Sequence, residues 1–291
     1  MSRADWLLLL AVLLLGGWIF TQAGQPLTPE AGLAQRWYDA LCAPGDPAAL
    51  AALTYTGDLG AARVAAHIER WRRDRGADFP CRAAVNRSFI LGEALAPGLP
   101  ADLVRIRFVP VDVVPAGAPP VRSPALAVRA GVHVLFFASG AAQVLPGFLG
   151  VSPVPLTPPG ATAALTNNDG LPMGTARAAG PVVRLVDGPV ARLGVPMTLA
   201  AERAWGAYEL RLFVDGYPAG RVFDDQLPPA YRQAILPPAG EHVAAGTRLT
   251  GLVWFQASPP PAPAADLRLW VEAKQTPWDG RALGSWLKLD G

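Results

Sequence analysis

The run WLLLLAVLLLGGWIF, residues 6–20, opens on Trp6, closes on Phe20 and carries no charge, with Arg3 just ahead of it. As a helix it spans about 22 Å, between the core of a signal peptide and the thickness of a bilayer. Either way the chain beyond Thr21 is exported, and that sets the chemistry in which everything downstream folds. Thr21, Gln22, Ala23 and Gly24 extend the helix toward the interface, and Trp6 and Trp18 stand where aromatic anchors sit. No cysteine follows the run, so it is not a lipoprotein signal. The reading is a single-pass anchor in the cell membrane, with the C-terminal bulk outside the cytoplasm. The alternative is a secreted form cleaved near Ala23.

An exported chain is free to form disulfides. Cys42 and Cys81 are its two cysteines. Pairing them closes a loop of about 40 residues and stabilises by about 3–4 kcal/mol in the chain-entropy view; the alternative is two unpaired buried thiols. No His or Cys stands at ligand spacing from either, so no metal site is expected, and no motif implies a cofactor. The 291 residues, 51% apolar and 16% charged, suffice for two cores. A net charge of +2 without a basic block excludes nucleic acid as a partner.

Residues 26–150 begin with helices. Thr28 or Pro29 opens the first, and Leu33, Trp37, Tyr38 and Leu41 recur on one face until Pro44-Gly45. Asp46 before Pro47 caps a second short helix. Asp58 caps a third, with Ala61, Val64, Ala65, Ile68 and Trp71 on one side. Arg70, Arg72, Arg73 and Arg75 crowd its last turn, read as a solvated end suited to the helix dipole, with an anionic-lipid or anionic-ligand contact as the alternative. After Cys81 the period changes to alternation in RAAVNRSFILGEAL, DLVRIRFVPVDVV and ALAVRAGVHVLFFASG, clearest where Val104, Ile106 and Phe108 oppose Arg105 and Arg107.

Residues 151–163 read as a Pro-rich linker, extended by Pro153, Pro155, Pro158 and Pro159. The Thr166-Asn167-Asn168-Asp169-Gly170 stretch has oxygen ligands but not the spacing of a calcium loop, and reads as a turn. Residues 164–291 hold short strands separated by turns, at 182–187, 197–202, 207–215, 219–225, 247–257 and 266–274. Tyr208, Leu210, Leu212 and Val214 oppose Glu209, Arg211 and Phe213. Leu267, Leu269 and Val271 oppose Arg268, Trp270 and Glu272. Asp215-Gly216 marks a hairpin, and SPPPAPAAD an exposed loop. Half-buried antiparallel strands of this kind make a β-sandwich.

WYDALCAPGDPAALAAL, then a longer helix, then long strands, resembles the NTF2-like superfamily; Tyr38-Asp39-Ala40-Leu41 followed by Gly45-Asp46 carries most of the likeness. That resemblance implies an α+β domain of three helices packed on a curved antiparallel sheet, enclosing a pocket. The family's Asp–His catalytic pairing has no match here. VDGYPAGRV is similar to hairpins of immunoglobulin-like and carbohydrate-binding sandwich modules. The fold expected is therefore an N-terminal membrane helix (1–25), the α+β domain (26–150), the linker, and a mainly β sandwich-like domain (164–291).

Candidate ligand-binding residues are Trp37, Tyr38, Trp71 and His133 in the first domain and Trp254 and Trp270 in the second. Phe213, Trp254 or Phe255, and Trp270 would form an exposed stacking platform. No Gly-x-Ser-x-Gly, His-Glu-x-x-His, P-loop or Cys-x-x-Cys is present, and neighbouring Asp224 and Asp225 point to opposite faces of a strand. The functional expectation is a membrane-anchored ligand- or protein-binding module of the bacterial envelope, with an envelope protein or a glycan as partner. The alternatives are an exported NTF2-like enzyme acting in the pocket of the first domain and a carbohydrate-binding envelope protein.

Overall fold

The computed structural model describes residues 27–76, 79–85, 99–115, 128–167, 170–222, 226–234, 242–275 and 283–291. The apolar run at 6–20, Ala23, the strand expected beyond residue 85, the middle of the 166–170 turn and the 224–225 pair lie outside them. No helix of the described residues is long and apolar enough to cross a membrane. These residues are mostly β, with three α-helices and antiparallel sheets.

Helix α1 (Pro29–Cys42) starts where the sequence signals it: Thr28 Oγ1 accepts from Ala31 N and Pro29 takes the first turn. Its stripe of Trp37, Tyr38 and Leu41 is fully buried. Helix α2 (Pro47–Ala51) is capped by Asp46 Oδ1, 2.9 Å from Ala48 N. Helix α3 (Ala61–Asp74) departs from expectation. It starts behind Gly60, at φ 76° and with no side-chain cap, and Asp58 sits too far upstream to serve it. Its end is solvated at Arg73 but not at Arg72. Arg72 is buried and donates to Ala40 O, Leu41 O and Gly45 O at 2.8, 3.1 and 2.7 Å. It thereby satisfies carbonyls that the end of α1 leaves unpaired. Arg75 lies 4.2 Å above the Trp71 ring.

The helices pack on a four-stranded sheet, β1 (Cys81–Val85), β2 (Leu103–Pro115), β3 (Val128–Phe137) and β4 (Ala142–Pro146), in that order. Both edges are partly capped, which reduces the row of open backbone groups an edge presents. Gln35 bonds Ala83 O and Val85 N on β1, at 2.8 and 2.9 Å. On β4, Val144 exchanges bonds with Leu53 O and Tyr55 N. The Cys42–Cys81 disulfide ties the end of α1 to the start of β1. Ile106 and Phe108 are buried as their alternation implies, but Val104 is 69% exposed. The β2–β3 ladder skips it between Leu103 and Arg105, and the bulge turns it out.

The second half has two facing sheets. One runs β10 (Tyr217–Pro218), β9 (Ala207–Val214), β13 (Leu267–Lys274), β14 (Ser285–Lys288). The other runs β11 (Gly220–Arg221), β12 (Arg248–Ala257), β8 (Val190–Ala201), β6 (Pro172–Ala178), β5 (Thr162–Thr166), with β7 (Val183–Asp187) also on β8. Alternate residues meet between them: Leu193, Val195, Met197 and Leu199 from one sheet, Leu210, Leu212, Leu269 and Val271 from the other. Strand β8 is longer than the stretch from 197 that alternation marks, because Pro196 disguises its middle. The missing N–H is harmless there: β8 changes partner at that point, pairing with β7 up to Gly194 and with β6 from Met197.

Two further expectations are corrected. The 151–163 stretch is extended but not a free linker. Val154 and Leu156 pack on Phe213, Trp270 and Trp286, and Thr157 bonds Trp286 O and Lys288 N along the outer edge of β14. Nor is β13 half-buried. Every residue from Leu267 to Ala273 is buried, because the first half covers the outer face of its sheet.

Candidate functional site

The seam between the halves is built from charge. Arg268 stands on the outer face of β13, 5% exposed. Its guanidinium donates to both Asp58 oxygens at 2.8 and 2.6 Å, to Asp266 Oδ2 at 2.6 Å and to Gly150 O at 3.2 Å. Fork-to-fork pairing of this kind is strong and directional. The bond from Arg268 holds the Asp58 carboxyl below its ordinary range despite partial burial. Burial alone would lower the Arg268 pKa, but its bonds to Asp58 and Asp266 raise it.

Beside this clasp the β9–β10 turn enters the first half. Asp215 takes φ 49° and Gly216 φ 85°, the left-handed pair a two-residue hairpin needs. A Cβ on Gly216 would lie 2.5 Å from Leu59 Cδ1, so only glycine allows this approach. Both turn carbonyls are captured across the seam: Gly150 N donates to Gly216 O, and His67 Nε2 donates to Asp215 O, each at 2.8 Å. His67 is 9% exposed. Burial, then the charges of Arg70 and Arg63, push its pKa down, partly offset by the bond to Asp215.

These contacts open onto a cleft of about 690 Å³. The end of α3 forms one wall with His67, Arg70 and Asp74; the crossing segment from Tyr217 to Arg221 forms the floor; Gln226, Gln256 and the strip from Ser258 to Ala262 form the far wall. Arg70 spans it, lying 4.0 Å over the Tyr217 ring, 3.6 Å from Asp74, and donating to Ser258 O at 2.9 Å. Tyr217 OH donates to Asp74 at 2.7 Å. Burial and that bond raise the phenol's pKa, so it stays protonated through the physiological range. Among the described residues, two arginines (Arg70, Arg221) and two aspartates (Asp74, Asp215) leave the lining formally neutral.

The residues singled out from the sequence lie elsewhere. Trp37 is sealed in the first core, its Nε1 donating to Thr54 Oγ1 at 2.9 Å, with Tyr38 edge-on at 5.2 Å. Trp71 stacks on Phe148, which also meets Trp37. The exposed platform does not exist: Phe213, Trp254, Phe255 and Trp270 are all under 8% exposed. Trp254 packs over Gly194, where a Cβ would sit 2.7 Å from its ring, and Trp270 donates to Leu283 O at 2.8 Å. His133 and Trp270 do meet, at a cavity of about 40 Å³ walled by Leu145, Leu149, Phe213 and Trp286. Arg211 is the other ionisable group there, and no carboxylate lines it among the described residues.

Sequence reasoning marked the cleft's parts separately, as an arginine-rich helix end, an Asp-Gly hairpin and an exposed proline loop. Nothing local joins them. Comparison with protein-family models, with curated proteins and with solved structures finds no match.

Proposed function

We propose that this chain is a membrane-anchored binding protein of the bacterial cell envelope, and that its ligand seat is the cleft at the seam. In this reading Trp6 to Phe20 is the anchor, residues 26–150 form an NTF2-like α+β unit and residues 164–291 a sandwich-like unit. The Cys42–Cys81 bond suits an oxidising compartment. The observation that carries the proposal is the cleft itself. Its volume is that of a small-ligand site, charged and amide groups from both halves converge on it, and the Arg268 clasp holds its walls in place.

The lining favours a neutral, hydroxyl-rich ligand, a short glycan. Among the described residues, formal neutrality leaves no surplus cation for a phosphate or carboxylate ligand. Pro259, Pro260 and Pro261 offer no N–H, and strands β10 and β11 are two residues each. The amides of Ala219 and Val222 are already given to Leu212 O and Trp254 O. An added peptide strand, which binds through main-chain pairing, therefore has little to pair with. The side-chain amides of Gln226 and Gln256 can both donate to and accept from sugar hydroxyls and the Asp74 carboxylate can accept from them, and proline rings give flat apolar faces.

The test uses Gly220→Trp, where an added Cβ meets nothing closer than Gln256 O at 3.8 Å. The full chain should fractionate with membranes. It should bind triacetylchitotriose, maltotriose or cellotriose by isothermal titration, and Gly220→Trp should weaken binding about tenfold or more without lowering Tm. Full-length protein in the cytosol, or saccharide binding untouched by Gly220→Trp, would sink the proposal.

A further inference from the structure

The cleft wall on α3 meets the 215–216 turn through one titratable side chain, His67, and meets the floor again where Asp74 accepts from Tyr217 OH. His67 Nε2 gives its proton to Asp215 O, its ring lies 5.4 Å from Tyr217, and Gly216 lies against it with room for no side chain. The same turn is held from the other side by Gly150 N on Gly216 O. From its own helix, Arg63 and Arg70 act on the ring, with Asp74 one turn beyond. From the hairpin come Asp215, whose Oδ1 accepts Asp266 N, and the Tyr217 hydroxyl, committed to Asp74. The strip across the cleft presents Ser258 O, already taken by Arg70. The nearest carboxylates are thus occupied, while two guanidiniums flank a ring that has left water.

We propose that His67 makes the cleft acid-responsive: a proton on its second ring nitrogen releases α3 from the 215–216 turn and so unseats one wall. This rests on the cleft being the ligand seat, and concerns its regulation rather than its occupant. The added charge stands beside Arg63 and Arg70 in a place that hydrates it poorly, where like charges repel strongly. The protein escapes by local opening that returns the imidazolium to water. Opening of this kind draws on the least protected part of a fold, and here it breaks the few hydrogen bonds that α3 and Gly150 make across the seam rather than either core.

The sign follows from linkage. The ring is held neutral when docked and has an ordinary pKa of 6.5 when released. The released form therefore binds more protons as pH falls below that value, and docking weakens. Between 6.5 and the docked pKa the open population rises by up to about tenfold per pH unit.

Hydrogen exchange of the full chain reads this without any ligand. The Gly150 amide, bonded to Gly216 O, is the reporter. After correction for intrinsic exchange, its protection should fall several-fold from pH 7 to pH 5 in the wild type. It should stay flat in His67→Gln, whose side-chain amide still donates to Asp215 O. Protection that ignores pH in the wild type, or falls equally in His67→Gln, overturns the proposal. If His67→Gln does not fold, an NMR titration of the His67 ring in the wild type decides: titration at or above 6.5 overturns it, and titration below supports it. Failure here leaves saccharide binding at neutral pH intact, whereas failure of Gly220→Trp to weaken binding leaves the exchange result standing, so the two readings fail separately.

Discussion

Replacing Arg268 by Met tests whether the two halves fold as one body. The substitution keeps the apolar stem and removes the guanidinium. It strands the Asp266 carboxylate, whose side chain is 22% exposed, and unpairs Gly150 O. Removing one partner of a buried ion pair costs about 3–5 kcal/mol. The lower end applies here, because the Asp58 side chain is 61% exposed and regains water. The expected loss is about 3 kcal/mol, or roughly 6–12 °C in Tm for a chain of this size. Asp58→Ala should cost only about 1 kcal/mol, since Arg268 keeps Asp266 and the exposed partner contributes little. The double variant should cost little more than Arg268→Met alone, a coupling of about 1 kcal/mol. Urea unfolding of the full chain, followed by tryptophan fluorescence, measures all three. A single transition moved by less than about 1 kcal/mol in Arg268→Met would refute the argument, as would two transitions of which neither responds.

Three further outcomes are expected. Gly284→Ala places a Cβ 2.1 Å from Trp270 Nε1 at a backbone φ of 65°, so it should displace the indole and lower stability by about 2 kcal/mol or more, measured by the same unfolding curves. Reducing Cys42–Cys81, or replacing both residues by Ser, frees a loop 39 residues long and should cost about 4 kcal/mol, concentrated in the α1–β1 region by hydrogen exchange. Asp58 has a folded pKa below its ordinary 3.8, so the stability it contributes is present above that value and is lost as pH falls through the folded pKa. An acid titration of Tm should show this loss below about pH 4, separate from the His67 step, and Asp58→Asn should remove it.

Most of the framework was legible along the chain, because it depends on local chemistry. Thr28 and Asp46 cap their helices with their own side chains. The alternation of Tyr208, Leu210 and Leu212 against Arg211 and Phe213 places two sets of residues on opposite faces whatever lies beyond them. Export would make a bond between two isolated cysteines natural, and the structure contains it. Period alone cannot say what covers the second face. Phe213 and Trp270 looked like an exposed platform because a sandwich strand ordinarily turns one side to water. Here that side is occupied by Gly150 from the first half and by Leu283 from the segment that follows β13. Asp58 looked like a helix cap for a related reason: position relative to α3 was visible, but its partner lies 210 residues away.

The sequence by itself determined the elements, their caps and turns, the disulfide candidates and the two apolar sets that become cores. These follow from interactions within a few residues or from side-chain chemistry alone. Tertiary structure decided the seam, the burial of the aromatic candidates and the cleft. The seam and the cleft require groups such as Arg70 and Ser258, or His67 and Asp215, to meet across more than 100 residues. Such pairs leave no period and no spacing to read. Only packing the first half against the outer face of β13 brings them within hydrogen-bond distance.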